Sequence, residues 1–135
     1  MIQDACHDPF AHTADDSERT AGAIAHLSAL CALIGVPFGN ILGPAVVWVV
    51  KKDDSEFVVE HCRSALNFQI TLSLAFLATA VAMLALVISG DTLTLFSFIP
   101  VLILFGVCST IFMIVAAVRA RSGEPYRYPF ALPWV

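Results

Sequence analysis

The sequence lacks charged side chains over three long stretches. No Asp, Glu, Lys or Arg occurs in residues 20–50, 64–90 or 92–118 of the 135-residue chain. Charged residues make up 13% of the chain and hydrophobic residues 59%, whereas a soluble domain has about 25% and about 45–50%. A membrane crossing needs about 20 apolar residues. The composition therefore excludes an ordinary soluble domain and predicts an integral membrane protein.

Groups that a catalytic, metal or nucleic-acid site requires are also scarce. The three uncharged stretches contain no carboxylate, and the sequence shows no phosphate loop and no nucleophile–base–acid set. The spacing of Cys6, His7 and His12 matches no established metal-ligand pattern. A net charge of −4 gives no support for nucleic-acid binding. We therefore expect a protein that is not an enzyme and has no catalytic residue, cofactor, metal ion or nucleic-acid partner.

Lys and Arg are absent before Arg19, so the acidic N-terminal segment lacks the positive region of a secretory signal. If the chain reverses direction within residues 20–50, all seven Lys and Arg residues fall on one side of the membrane. Positively charged residues concentrate on the cytoplasmic side. This asymmetry predicts a multi-pass protein of the cytoplasmic (inner) membrane with both termini in the cytoplasm.

Prolines and glycines interrupt the first uncharged stretch. As one straight helix it would be roughly 46 Å long, more than the hydrocarbon core of about 30 Å. Pro37 and Pro44 each remove a backbone donor, so we predict a reversal near Gly39 and Asn40. The second arm would then be tilted or re-entrant. The alternative is a single kinked helix, which gives three crossings. It would move only Arg19 to the other side of the membrane, so the charge distribution does not distinguish the two topologies.

These observations predict an all-α fold, an integral membrane four-helix bundle whose first two helices are short and broken at the Pro/Gly-rich turn. The predicted transmembrane domain is 19–118, with helices at about 20–36, 38–50, 58–89 and 94–118. Residues 1–18 are expected to form a disordered acidic cytoplasmic tail. Residues 119–135 combine prolines with aromatic rings that favour the headgroup region, which predicts an interfacial cytoplasmic tail.

One face of the third predicted helix is polar near its start and small-sided further on, from Glu60 to Ser89. Small residues let helix backbones approach closely in membranes. We expect this stripe mainly to pack inside the bundle, with contact to a second copy or a partner helix as the alternative. The residues predicted to pack helices through their small size are Gly39 and Gly43 in the second arm and Ala75, Ala78 and Ala82 in the third helix.

His26 is the one histidine inside an uncharged stretch, and an ionisable group in a membrane segment is a candidate functional residue. Asn67 enters the membrane to a comparable depth from the same side. We expect a neutral His26 hydrogen-bonded to Asn67 or Ser64, with a proton or ion relay as the alternative. The predicted interhelical polar contacts are His26, Ser64, Asn67 and Gln69.

Three local segments carry a family resemblance. They are AHLS (25–28) leading to PFGNILGP (37–44), ALNFQIT (65–71) preceded by His61, and GEPYRYP (123–129). Over about residues 18–135 the chain resembles an uncharacterised bacterial family of small four-helix membrane proteins, which is similar to the twenty-kilodalton Tic subunit of the chloroplast inner-envelope translocon. The resemblance implies four helices with both termini on one side and no established catalytic residue. It also implies a role in moving or accommodating polypeptides.

Two functions follow as hypotheses. The leading one is a non-enzymatic assembly or translocation-accessory component, whose partners are the lipid bilayer and either further copies of itself or another membrane protein. The alternative is a channel or transporter for a small solute that acts as an oligomer. The broken segment and the polar side chains of His26, Asn67 and Gln69 favour the alternative, since interrupted helices often line binding sites.

Overall fold

The computed structural model describes residues 14–35, 38–53 and 55–135. Within these ranges the regular secondary structure is helical and no strand occurs, which confirms the predicted all-α, four-helix fold. The elements in chain order are α1 (Asp16–Leu27), a 3₁₀ segment (Ser28–Ile34), α2 (Gly39–Lys51), α3 (Glu56–Ser89) and α4 (Thr92–Arg121).

Helix α1 begins earlier than the sequence suggested, because a reciprocal cap fixes its first turn. The Glu18 backbone N–H donates to Asp15 Oδ1 at 2.8 Å, and the Asp15 N–H donates to Glu18 Oε2 at 2.7 Å. This arrangement is a capping box, which satisfies two otherwise unpaired donors. Residues 16–18 are therefore helical, contrary to the prediction of a disordered tail there. Residues 14 and 15 directly precede the helix, and residues 1–13 of the predicted tail lie outside the described residues.

The reversal between the first two arms lies just before the predicted position. Gly35 ends the 3₁₀ segment with φ at 85°, and Phe38 starts α2 with φ at 55°. Asn40 is already inside the first turn of α2. Further along α2, a Cβ placed on Gly43 would lie 2.5 Å from the Ser28 backbone oxygen. Glycine at this position lets α2 lie directly against the 3₁₀ segment.

Helices α3 and α4 are the two helices long and apolar enough to cross a membrane among the described residues. At 1.5 Å per residue they extend roughly 51 Å and 45 Å. In an apolar stretch of 18 residues in each helix, only 6% of the residues in α3 and 22% of those in α4 are buried. The core helix of a soluble protein would be mostly buried. The chain is thus a membrane helical bundle. Helix α2 is apolar but spans only roughly 20 Å.

The core lies at one end of the α3–α4 hairpin. Buried side chains of α3 fall between Val58 and Leu72, and those of α4 between Ser109 and Ala120. Helices α1 and α2 cover only this end. We call it the packed end, comprising α1, the 3₁₀ segment, α2, residues 56–73, residues 109–121 and the segment that follows. The rest of the α3–α4 hairpin, residues 74–108, is called the open half, and its large apolar side chains are mostly exposed.

The segment after α4, residues 122–135, returns along α3 and is called the strap. Tyr128 is 5% exposed and stacks on Phe68, with ring centroids 3.9 Å apart and an interplanar angle of 6°. Phe130 and Trp134 are 75% and 50% exposed. The predicted interfacial tail is therefore part of the bundle at Tyr128. Only some of its aromatic side chains remain available to the headgroup region.

Candidate functional site

A polar cluster occupies the centre of the packed end. His26 on α1 is fully buried, and its Nε2 lies 2.9 Å from Nδ1 of His61 on α3. Its Nδ1 lies 3.0 Å from the hydroxyl oxygen of Tyr128 in the strap. The prediction that His26 pairs with Asn67 or Ser64 is wrong, because those two side chains bind the strap instead.

Small residues on α1 allow this cluster to form. A Cβ on Gly22 would lie 3.2 Å from the Phe57 ring and 3.3 Å from the His61 ring. Ala25 on α1 and Ala120 on α4 are fully buried. Because none of these positions carries a bulky side chain, α1 fits between α3 and α4 and places His26 beside His61.

The hydrogen-bond donors in the cluster follow from its chemistry. Burial, followed by the neighbouring Tyr126, raises the pKa of the Tyr128 hydroxyl, so Tyr128 keeps its proton and acts as a donor. If Tyr128 donates to His26 Nδ1, then His26 Nε2 carries the ring proton and donates to His61 Nδ1. The His61 proton is then on Nε2. This assignment keeps both imidazoles neutral and uses every short contact.

His61 Nε2 is the buried polar side-chain atom without a hydrogen-bond partner among the described residues. No carboxylate of the described residues is hydrogen-bonded to His26 or His61, and the cluster connects α1, α3 and the strap. Within the described ranges no group of three His, Cys, Asp or Glu side chains could hold a metal ion.

The polar part of the α3 stripe holds the strap. Its side chains supply partners for the backbone of an irregular segment, whose donors and acceptors have no helix to satisfy them. In order along α3 the contacts are Glu60 Oε1 with Arg127 Nη2 at 3.3 Å, Ser64 Oγ donating to Tyr126 O at 2.8 Å, Asn67 Oδ1 accepting from the N–H groups of Trp134 at 2.8 Å and Val135 at 2.9 Å, and Thr71 Oγ1 accepting from the Leu132 N–H at 3.1 Å.

Gln69 connects three helices. Its Nε2 lies 3.0 Å from Met113 Sδ on α4, and its Oε1 lies 3.5 Å from Asn40 Nδ2 on α2. Asn40 also donates to Ser73 Oγ at 3.0 Å. His26 and Gln69 thus make polar contacts between helices, although His26 does so with other partners than expected. Ser64 and Asn67 contact the strap and no other helix among the described residues.

The residues predicted to pack helices divide into two groups. Gly39 is buried, and Gly43 lies against the 3₁₀ segment. Ala75, Ala78 and Ala82 are exposed. The interpretation of these alanines as a seam inside one bundle is wrong, because α1 and α2 are too short to reach them. The contact with another chain that was the alternative stays a proposal.

Sequence reasoning missed His61 and the burial of Tyr128. The buried positions of α3 form a second stripe beside the polar one, namely Val58, His61, Cys62, Ala65, Leu66, Phe68, Gln69 and Leu72. This stripe repeats at spacings of three and four, as a helix face does. His61 lies on this stripe, so its place on the buried face of α3 could have been predicted from the sequence. Cys6, His7 and His12 lie outside the described residues.

Comparison with known families identifies the chain. The model of the magnetosome magnetite crystal formation protein family matches residues 17–135, and this protein belongs to that family. Membership confirms the resemblance to a bacterial family of small membrane proteins and does not extend to the plastid translocon. No curated protein and no solved structure matches the chain.

Proposed function

We propose that this protein is a non-enzymatic membrane component of magnetite crystal formation, which works by assembling with further copies of itself or with another membrane protein. The observation that carries the proposal is the open half. Ala75, Ala78 and Ala82 are exposed on α3, one of the two helices long enough to cross the membrane. Small residues at such positions permit close helix–helix contact. The chain's own short helices leave this surface free for a partner.

The packed end supports a structural role. His26 is the strongest candidate for a reactive group in the membrane segments, yet both of its ring nitrogens are used in contacts within the fold. A residue that must release or accept a proton during turnover needs access to its substrate. Full burial of His26 favours a role in holding α1, α3 and the strap together.

The proposed location is the magnetosome or cytoplasmic membrane, with the packed end on the cytoplasmic side. The helix ends and loops at the packed end carry the Lys and Arg residues, and the turn between α3 and α4 has none. Cysteine placed at Ser89 or at Lys52 in a chain without its native cysteines distinguishes the two sides. An impermeant maleimide should label the Ser89 position and spare Lys52 in intact cells if the protein is in the cytoplasmic membrane, and it should label Lys52 and spare Ser89 in isolated intact magnetosomes. Labelling of Lys52 in intact cells, or of Ser89 in isolated intact magnetosomes, would contradict this orientation.

Two narrower functions are less favoured. A translocation-accessory role would make a polypeptide the partner, and it rests on the similarity to the plastid translocon subunit alone. A solute channel would need polar side chains along a water-filled path. His26 and Gln69 are instead buried and bonded to neighbouring helices.

The test is the mass of the protein extracted directly into native nanodiscs, compared between two variants. Ala78→Phe adds a ring to the small-residue stripe, and Leu77→Phe adds one to the neighbouring, 61% exposed position. We expect the unmodified protein and Leu77→Phe to give the same defined complex, and Ala78→Phe to give the single chain with unchanged helical content.

A complex that Ala78→Phe leaves intact would overturn the small-residue stripe as the contact surface. The assembly proposal itself would be overturned if the unmodified protein were a single chain without a partner at every protein concentration that can be reached. Solute flux through liposomes containing only this protein would then support the channel instead.

A further inference from the structure

A groove with a volume of about 660 Å³ separates the first turns of α3 from the strap. This volume lies in the range of about 300–1,000 Å³ that is typical of small-molecule sites. Four charged side chains line the groove, with Glu56, Glu60 and Arg63 contributed by α3 and Arg127 by the strap. The groove therefore contains two positive and two negative groups, which distinguishes it from a purely acidic or basic surface.

The charges follow a fixed order along α3. Glu56, Glu60 and Arg63 are spaced by four and three residues, so they share one face of the helix. Arg63 is the last charged residue before the uncharged stretch 64–90. Arg63 thus lies at the edge of the hydrocarbon, and the two glutamates lie further out towards the aqueous phase.

Two of these four charged groups have unused binding capacity. Arg127 lies 3.3 Å from Glu60. Glu56 and Arg63 are exposed and make no hydrogen bond or ion pair within the part of the chain that the structure describes. A guanidinium group binds phosphate with two parallel hydrogen bonds. A carboxylate accepts hydrogen bonds from an ammonium group.

We propose that this groove binds the headgroup of a phospholipid that carries a primary ammonium group, phosphatidylethanolamine. In such a lipid the phosphate adjoins the glycerol, and the ammonium group is at the outer end. The phosphate then meets Arg63, and the ammonium group meets Glu56 and Glu60. The order of charges in the lipid matches the order along α3.

The remaining lining fits the same ligand. Ala131, Pro133 and Val135 contribute apolar surface from the strap. Contacts of this part of the strap with Asn67 and Thr71 place it deeper in the membrane than Arg63. The glycerol and the first acyl carbons would lie there. The equal numbers of positive and negative groups favour a zwitterionic lipid over an anionic one.

The experiment is native mass spectrometry of the full chain, delipidated in detergent and titrated with lipids of identical acyl chains. Phosphatidylethanolamine should bind as one saturable molecule per chain, more tightly than phosphatidylcholine or phosphatidylglycerol. Arg63→Gln and Glu56→Gln should each weaken this binding by about tenfold, the effect of losing one charge-assisted hydrogen bond. Lys52→Gln and Asp53→Asn remove exposed charges outside the groove and should leave binding unchanged.

Several outcomes would overturn the proposal. Equal or tighter binding of phosphatidylglycerol would show recognition of net negative charge. Equal binding of phosphatidylcholine would remove the role of the ammonium hydrogen bonds. If soluble phosphoethanolamine displaced the lipid at similar concentrations, the groove would be a site for a free metabolite. Arg63 and Glu56 are exposed, and their side chains make no hydrogen bond or ion pair among the described residues, so nearly unchanged thermal unfolding should accompany the loss of binding in both variants.

Discussion

The two halves of the α3–α4 hairpin satisfy their polar side chains in different ways. At the packed end, Ser64 donates to the strap and Gln69 contacts α4. In the open half, Thr79 donates to the Ala75 backbone oxygen at 2.9 Å and Ser97 to that of Thr94 at 2.7 Å, each within its own helix. Hydrocarbon offers no hydrogen bonds, so polar groups facing lipid must be satisfied locally. The packed end is thus built for contacts within the chain, and the open half tolerates lipid or a partner helix.

The largest expected effect comes from removing the aromatic ring that fixes the strap. Tyr128→Ala deletes the stacked contact with Phe68 and the hydrogen bond to His26. We expect the free energy of unfolding in nanodiscs to fall by about 3–5 kcal/mol, as for other buried aromatic truncations. Phe130→Ala changes a 75% exposed ring in the same strap and should have little effect. Similar losses in both variants would show that the strap is not fixed at Tyr128.

The next effect tests the histidine at the centre of the packed end. His26→Ala leaves the ring nitrogen of His61 and the hydroxyl of Tyr128 without their partner, and we expect a loss of about 2–4 kcal/mol. Leu27→Ala, at the adjacent and 42% exposed position, is the control and should cost less.

Coupling between His26 and Tyr128 is measurable separately. Tyr128→Phe keeps the ring and removes the hydroxyl, so a double-mutant cycle with His26→Ala isolates the hydrogen bond. We expect a coupling energy of about 1 kcal/mol or more, as for residues in direct contact. Additive effects would mean that His26 acts by filling volume alone.

A smaller effect compares two glycines in the same chain. Gly43→Ala would place a Cβ 2.5 Å from the Ser28 backbone oxygen, which should cost about 1–3 kcal/mol through overpacking. Gly106 in the open half has no atom within 4 Å of such a Cβ. Gly106→Ala should be neutral or stabilising by up to about 1 kcal/mol, because alanine favours helix. A cost at Gly106 matching that at Gly43 would indicate a partner packed on α4.

Much of the fold could be predicted from charge and hydrophobicity. The uncharged stretches located the membrane segments, since Arg63 and Arg119 end them near the packed end. Pro37 and the glycines beside it placed the reversal to within a few residues. These features are local, and the cost of burying charge in hydrocarbon makes them decisive.

The site could not be predicted in the same way, because its partners are far apart in sequence. His26 meets Tyr128 across 102 residues and His61 across 35. The prolines of the strap show only that it is not helical, and aromatic rings in such a segment fit the membrane interface as well as a core. The exposure of Ala78 depends on how far α1 and α2 extend along α3. The pattern of residues in α3 gives no information on the length of those two helices.

The smallest expected effect lies at the far tip of the open half and depends on pH. Asp91 caps α4 by accepting the Thr94 N–H at 3.0 Å, and this hydrogen bond lowers the pKa of its carboxyl below the ordinary value of 3.8. A carboxylate with a lowered pKa stabilises the folded turn above its unfolded pKa, and that stabilisation disappears as the pH falls through the folded value.

Asp91 is fully exposed, so the change should be confined to the first turn of α4. NMR titration of the carboxyl carbon should give a midpoint below 3.8, and the Thr94 amide should exchange faster, after correction for intrinsic exchange, as the carboxyl is protonated. Asp91→Asn keeps an acceptor that does not titrate, and its corrected Thr94 exchange should not depend on pH over this range. A midpoint at or above 3.8 would show that the cap is absent in the membrane. The packed end is held by buried contacts distant from Asp91, so its corrected amide exchange should not change over this pH range in the original protein or in Asp91→Asn.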